Sequence, residues 1–212
     1  MTYQVVASHR TGSTLLNWFC INDNDGLGFP EFFLDPSYTH LSYIDKMSIE
    51  EKFEFLEYYK NKDVHFSTKI FPRRIIKQGY ESRLKNYLDG YKILTIKRDP
   101  FDSFLSNQYQ DSTDWKYAHR NNDSLSLPLK DFEIDLDKIK TFQKRWKTDH
   151  GFIEQLDVYK RFDYDDLTVS NLQRYFKTDY DPNLRPININ YRKLIINFDE
   201  VKEVFDNEMY SS

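Results

Sequence analysis

Residues Tyr3–Leu16 constrain this chain more than any other stretch. A short apolar run, Val5-Val6-Ala7, passes through Ser8-His9-Arg10-Thr11-Gly12-Ser13-Thr14 into the apolar helix start at Leu15-Leu16. The stretch reads as a strand that bends at once into a helix, with Gly, Ser and Thr at the bend. It also aims the first N–H groups of that helix at the bend, the layout that cradles phosphate groups. The bend is not a Walker A loop. The pattern G-x-x-x-x-G-K-[ST] would need Gly where Ala7 stands and Lys where Ser13 stands. Its permanent cation is Arg10, inside the turn, which suggests an anionic ligand other than ATP–Mg²⁺.

The rest of the chain repeats the strand-then-helix alternation. Strands are expected at Tyr3–Ala7, Val64–Phe71, Tyr91–Lys97 and Val158–Tyr164. Helices are expected at Ser13–Ile21, Ile49–Tyr59, Arg74–Leu88, Leu136–Leu156, Thr168–Phe176 and Val201–Phe205, with another opening at Pro100, a residue the first helical turn tolerates. Asn22–Tyr38 and Asp179–Arg192 read as loops, and Asp111–Leu129 as a polar surface excursion. No repeat or domain linker interrupts this order, so the expectation is one α/β domain over residues 1–212, with a central parallel sheet flanked by helices. In such sheets ligands bind beyond the carboxyl ends of the strands.

Composition narrows the functional classes. A net charge of −4 gives no global drive toward nucleic acid. Cys20 is the only cysteine, so no disulfide forms within the chain, and a thiol-nucleophile loop would need Arg where Gly26 stands. No apolar run is long enough for a membrane span, and the first strand leaves no room for a leader, so a soluble cytoplasmic protein is the expectation.

A second motif, Lys97-Arg98-Asp99-Pro100-Phe101-Asp102-Ser103-Phe104-Leu105-Ser106, follows the strongest strand and opens a helix. Asp99 and Pro100 suit a helix cap and first position, while Arg98 and Ser106 place a guanidinium and a hydroxyl eight residues apart. The ordered pair of motifs resembles the PAPS-dependent sulfotransferases, nearest to the small carbohydrate-type enzymes, which have a three-layer P-loop-like α/β fold. Gly28-Phe29-Pro30-Glu31-Phe32-Phe33 is similar to that group's G-x-P-E-Y/F-F segment. Phe162-Asp163-Tyr164-Asp165-Asp166-Leu167 resembles the family's Y-E-D-L segment, and Ile195–Val201 its closing Asn-aromatic-acidic helix.

The resemblance implies sulfuryl transfer from PAPS to an acceptor hydroxyl, leaving PAP, with no metal. It places the 5′-phosphosulfate on Arg10, Thr11, Gly12, Ser13 and Thr14, and the 3′-phosphate on Arg98 and Ser106. It sets Tyr164 near the adenine and makes Arg192 and Lys193 candidates to close over the phosphates. Arg10 would neutralise the leaving group, Glu31 would act as base, and Lys69 would touch the transferring group. Cytosolic relatives carry a His where Phe71 stands, which shifts the base to Glu31. The acceptor would be a carbohydrate, glycoconjugate or other small molecule. Two alternatives stay open: a P-loop kinase of a small metabolite, against which Ser13 stands in the lysine position, and a nucleotide-binding module without turnover.

Overall fold

The computed structural model describes residues 2–29, 32–33, 46–113, 131–184 and 189–210. Five strands form one sheet: β1 (Tyr3–Val6), β2 (Gly28–Phe29), β3 (Ser67–Ile70), β4 (Lys92–Lys97) and β5 (Val158–Asp163), in spatial order β2-β3-β1-β4-β5. Every pairing is parallel; Val5 lies opposite Lys69 on one side of β1, and Gln4 opposite Ile93 on the other. The buried side chain of Gln4 fixes that first register. Its Oε1 accepts from the N–H of Thr68 at 3.1 Å and from the Thr68 hydroxyl at 2.9 Å.

The helices are α1 (Ser13–Asp23), α2 (Ile49–Lys60), α3 (Pro72–Ile76), α4 (Glu81–Leu88), α5 (Pro100–Thr113), α6 (Asp137–Ile153), α7 (Val169–Phe176) and α8 (Phe198–Tyr210). Alternation along β1 shows that both sheet faces are covered. Val6 packs with Phe53, Ile70, Ile75 and Phe152, under α2, α3 and α6. Val5 and Ala7 pack with Leu16, Phe19, Phe162 and Leu172, under α1 and α7. A third cluster joins Phe104 of α5, Ile139 of α6 and Phe205 of α8. Burying each of these large side chains contributes about 1.5–3 kcal/mol.

Local chemistry sets several helix starts. Ser48 and Glu51 form a reciprocal cap on α2, and Thr168 caps α7. On α5, Asp99 Oδ1 accepts from the N–H of Asp102 at 3.0 Å, with Pro100 as the first helical residue. The single helix expected over Arg74–Leu88 is instead two. Gly79 adopts φ 84°, a left-handed conformation that closes α3 before α4 begins. Gly28–Phe29, read as loop, forms the edge strand, and the last helix extends from Phe198 to Tyr210 rather than Val201–Phe205. No helix among the described residues is long and apolar enough to cross a membrane.

The chain leaves β1 toward β2 on one flank and leaves β4 toward β5 on the other. Neighbouring strands whose connections diverge open a crevice at their carboxyl ends. The crevice lies between β1 and β4, where residues 7–12 and 98–99 emerge.

Candidate anion-binding site at the β1 and β4 strand ends

The bend after β1 is held in an unusual backbone conformation. Arg10 and Gly12 both have positive φ, 62° and 76°, with Thr11 between them. Such alternation turns successive N–H groups to one side and forms an anion-receiving concavity. For Arg10 a left-handed conformation costs about 1–2 kcal/mol, so neighbouring contacts must impose it. Two are evident. The Thr11 hydroxyl donates to the Ser8 carbonyl at 2.9 Å, and Arg98 Nη1 donates to the Arg10 carbonyl. Gly12 is the N-cap of α1 and offers no side-chain acceptor. The N–H groups of Gly12, Ser13 and Thr14 find no protein acceptor among the described residues.

Three cations converge on this concavity. Arg10 Nε donates to Ser106 Oγ at 3.1 Å, which ties the loop after β1 to the second turn of α5. Arg98, at the end of β4, lays its guanidinium on the Tyr164 ring, 3.9 Å from the ring centre. Lys69, on β3 and 3% exposed, donates to Thr14 Oγ1 at 2.8 Å. Among the described residues, no carboxylate lies within ion-pair distance of Arg10 or Arg98. Burial pulls the Arg10 guanidinium below its ordinary value, Tyr191 opposes this, and Arg98 adds to it. The group stays charged at neutral pH. Arg98 Nε is shielded from solvent and has no hydrogen-bond partner among the described residues. This leftover donor of Arg98, the Arg10 guanidinium and the free helix N–H groups make a donor set that suits an anion with several oxygens.

Tyr164 has a second task besides carrying Arg98. A methyl group on Gly12 would meet Tyr164 Cε2 and Leu167 Cδ1 at 3.1 Å. The glycine lets the loop lie directly on the tyrosine shelf.

The structure thus brings together Arg10, Gly12, Ser13, Thr14, Lys69, Arg98, Ser106 and Tyr164. It does not bring Thr11's side chain to the crevice, because its hydroxyl turns inward and the residue is fully buried. Arg192 and Lys193 are exposed on a short 3₁₀ turn, and Arg192 pairs with Asp199 at 3.2 Å. The residue of that turn that acts on Arg10 is Tyr191, whose ring also packs 6.0 Å from that of Tyr109. Glu31 lies outside the described residues; the neighbouring Phe32 and Phe33 are buried in the core. Sequence reasoning passed over Tyr191 and also His9, although His9 adjoins the loop cation. Its ring stacks on Phe71 at 4.0 Å. Comparison with protein-family models, curated proteins and solved structures found no match to this chain.

Proposed function

We propose that this chain is a PAPS-dependent sulfotransferase, moving a sulfuryl group to an acceptor hydroxyl. One observation carries the reading: Arg10 of the first loop bonds Ser106 of the second motif, while Arg98 of that motif holds the Arg10 carbonyl. Two segments linked in sequence only by their resemblance to one family meet at one crevice. A parallel sheet with a donor-rich loop after its central strand supports the finer, P-loop-like description of the fold.

In this reading the N–H groups of Gly12, Ser13 and Thr14 hold the 5′-phosphate of the donor. Arg98, with its uncommitted Nε, and Ser106 take the 3′-phosphate, and Tyr164 borders the adenine. The donor brings a sulfuryl group on an already activated phosphate bridge. Arg10 sits where charge grows on the leaving phosphate oxygen and acts by fixed charge and geometry, since it yields no proton at neutral pH. Lys69, held by Thr14, adds a second cation from β3. The resemblance gives the acceptor's base to Glu31 and points to carbohydrate or other small hydroxyl compounds. A cytoplasmic site of action belongs to the same reading, since lone, buried Cys20 offers no pairing within the chain for an oxidising compartment to use. The kinase alternative has Ser13 in the lysine position, and Asp99, the acid at the end of β4, is engaged in capping α5.

Calorimetry tests the reading, with PAP titrated without metal and ATP titrated separately with Mg²⁺. PAP binds and ATP–Mg²⁺ does not, and a panel of sugars, phenols and lipid alcohols incubated with radiolabelled PAPS yields a sulfated product. PAP binding with no product from the panel leaves a nucleotide-binding module without turnover; absence of PAP binding refutes both.

A further inference from the structure

Beside the anion site lies a cavity of about 300 Å³, lined by His9 and by residues of α3, α5 and α6. That volume is at the lower end for small-ligand pockets and fits one sugar-sized or phenol-sized compound. Asn107 and Gln108 of α5 give it neutral hydrogen-bonding groups, one turn or less from Ser106. His9 is the group shared between this cavity and the loop. Among the described residues neither of its ring nitrogens has a hydrogen-bond partner, and Nε2 is shut off from solvent. Its ring stacks on Phe71, and the Lys69 ammonium lies 5.2 Å from the Phe71 ring centre. A half-buried imidazole whose shielded Nε2 has no partner among the described residues is costly, and here it stands between a donor-rich loop and a cavity that it lines.

We propose that the acceptor hydroxyl enters this cavity and that His9, rather than Glu31, takes its proton. The inference rests on the sulfuryl-transfer reading. In the step, the acceptor O–H bond breaks and its proton goes to Nδ1 of His9, the ring nitrogen that is not shut off from solvent. The acceptor oxygen forms the new bond to sulfur. The bridge between sulfur and the 5′-phosphate breaks, and its electron pair stays on the phosphate oxygen beside Arg10. The charges around His9 make this proton transfer depend on the donor. Burial and the cations Arg73, Arg74, Lys69 and Arg10 hold the imidazole neutral, well below its ordinary value. The outer wall carries Lys138 and Arg145 against Asp111 and Asp137, charges that offset one another. A polyanionic donor on the loop offsets Arg10 and Lys69 and raises the proton affinity of His9, so the base becomes effective once the donor is bound.

The test is a proton and carbon-13 NMR titration of the His9 ring in the full chain, assigned through the backbone, with and without PAP. Calorimetry on the same sample reports PAP binding. The expected result is that His9 stays neutral down to well below pH 6.5 in the free protein and that PAP moves its titration upward by a unit or more. Activity gives a second readout. With the acceptor found in the panel, His9→Gln lowers kcat by at least about 100-fold and flattens the acid limb of the pH profile, while PAP affinity is kept. Arg145→Ala, a change at an exposed residue that lines the cavity, raises the acceptor KM without altering PAP binding. PAP binding with an unmoved His9 titration, or a His9→Gln variant with normal kcat and pH profile, overturns the proposal and leaves the donor reading intact. Absence of PAP binding overturns both.

Discussion

Gly12→Ala tests whether the loop depends on lying against the Tyr164 shelf. Gly12 has φ 76°, and the added methyl would sit 3.1 Å from Tyr164 Cε2, 3.3 Å from Tyr164 Cδ2 and 3.1 Å from Leu167 Cδ1. Two costs add. An alanine in the left-handed region costs about 1–2 kcal/mol. Overpacking against a ring and a buried leucine costs about 1–3 kcal/mol more. Gly79→Ala is the internal control: Gly79 has φ 84° but nothing within 4 Å of the added methyl, so it carries the conformational cost alone. The change in unfolded-chain entropy is the same for both and cancels. Urea denaturation of the two variants should therefore differ by about 1–3 kcal/mol, with Gly12→Ala the less stable. Because the displaced ring carries the Arg98 guanidinium at 3.9 Å, Gly12→Ala should also weaken PAP in calorimetry, and Gly79→Ala should not. Equal stability of the two variants, together with unchanged PAP affinity in Gly12→Ala, would refute the shelf argument.

Other expectations follow from the same contacts. Arg10→Ala should lower kcat more than PAP affinity, measured by steady-state kinetics beside calorimetry, if its charge serves the leaving group as proposed. Arg192→Ala should leave PAP affinity and stability within about 0.5 kcal/mol of the parent, because its pair with Asp199 is 72% and 84% exposed; a large loss of PAP affinity would return Arg192 to the site. Asp149, 1% exposed between α3 and α6, accepts from the N–H of Arg73 at 2.9 Å and is pushed up from 3.8 to about 6 by burial. The folded chain holds that proton more tightly than the unfolded one, so ionisation costs about 3 kcal/mol, incurred as pH rises from about 4 to 6. Denaturation across pH 4–8 should show Asp149→Asn lacking this decline. His9 has the opposite sign. Its value is depressed in the folded chain, so stability falls as pH drops below 6.5, and His9→Gln should remove that loss.

What the sequence reveals of this molecule divides along the range of the interactions. The α/β class with a parallel sheet was legible because each strand–helix unit is a local pattern, and the Asp99–Pro100 start of α5 because capping acts within one turn. The two helices within Arg74–Leu88 were not, because their apolar spacing runs on through Gly79, and only the backbone angle at that glycine separates them. At the crevice, Arg10 and Ser106 are 96 residues apart, and nothing in either motif states that they touch. Thr11 looks like a ligand-facing hydroxyl in a Gly/Ser/Thr turn, yet closing that turn needs it on the Ser8 carbonyl. His9 was hidden by its position next to the obvious cation. Its significance comes from Phe71, 62 residues away, and from a cavity built by three helices.

The central claim is that the crevice between β1 and β4 receives the two phosphate ends of PAP through Arg98, Ser106 and the loop at residues 10–14. The most direct measurement is calorimetry of PAP against the parent chain and Arg98→Ala, without metal. The expected result is saturable one-to-one binding by the parent and a loss of about 2–5 kcal/mol in the variant, whose removed guanidinium leaves a phosphate unpaired in a buried site. Equal binding by the two proteins, or ATP–Mg²⁺ binding in preference to PAP, would contradict it.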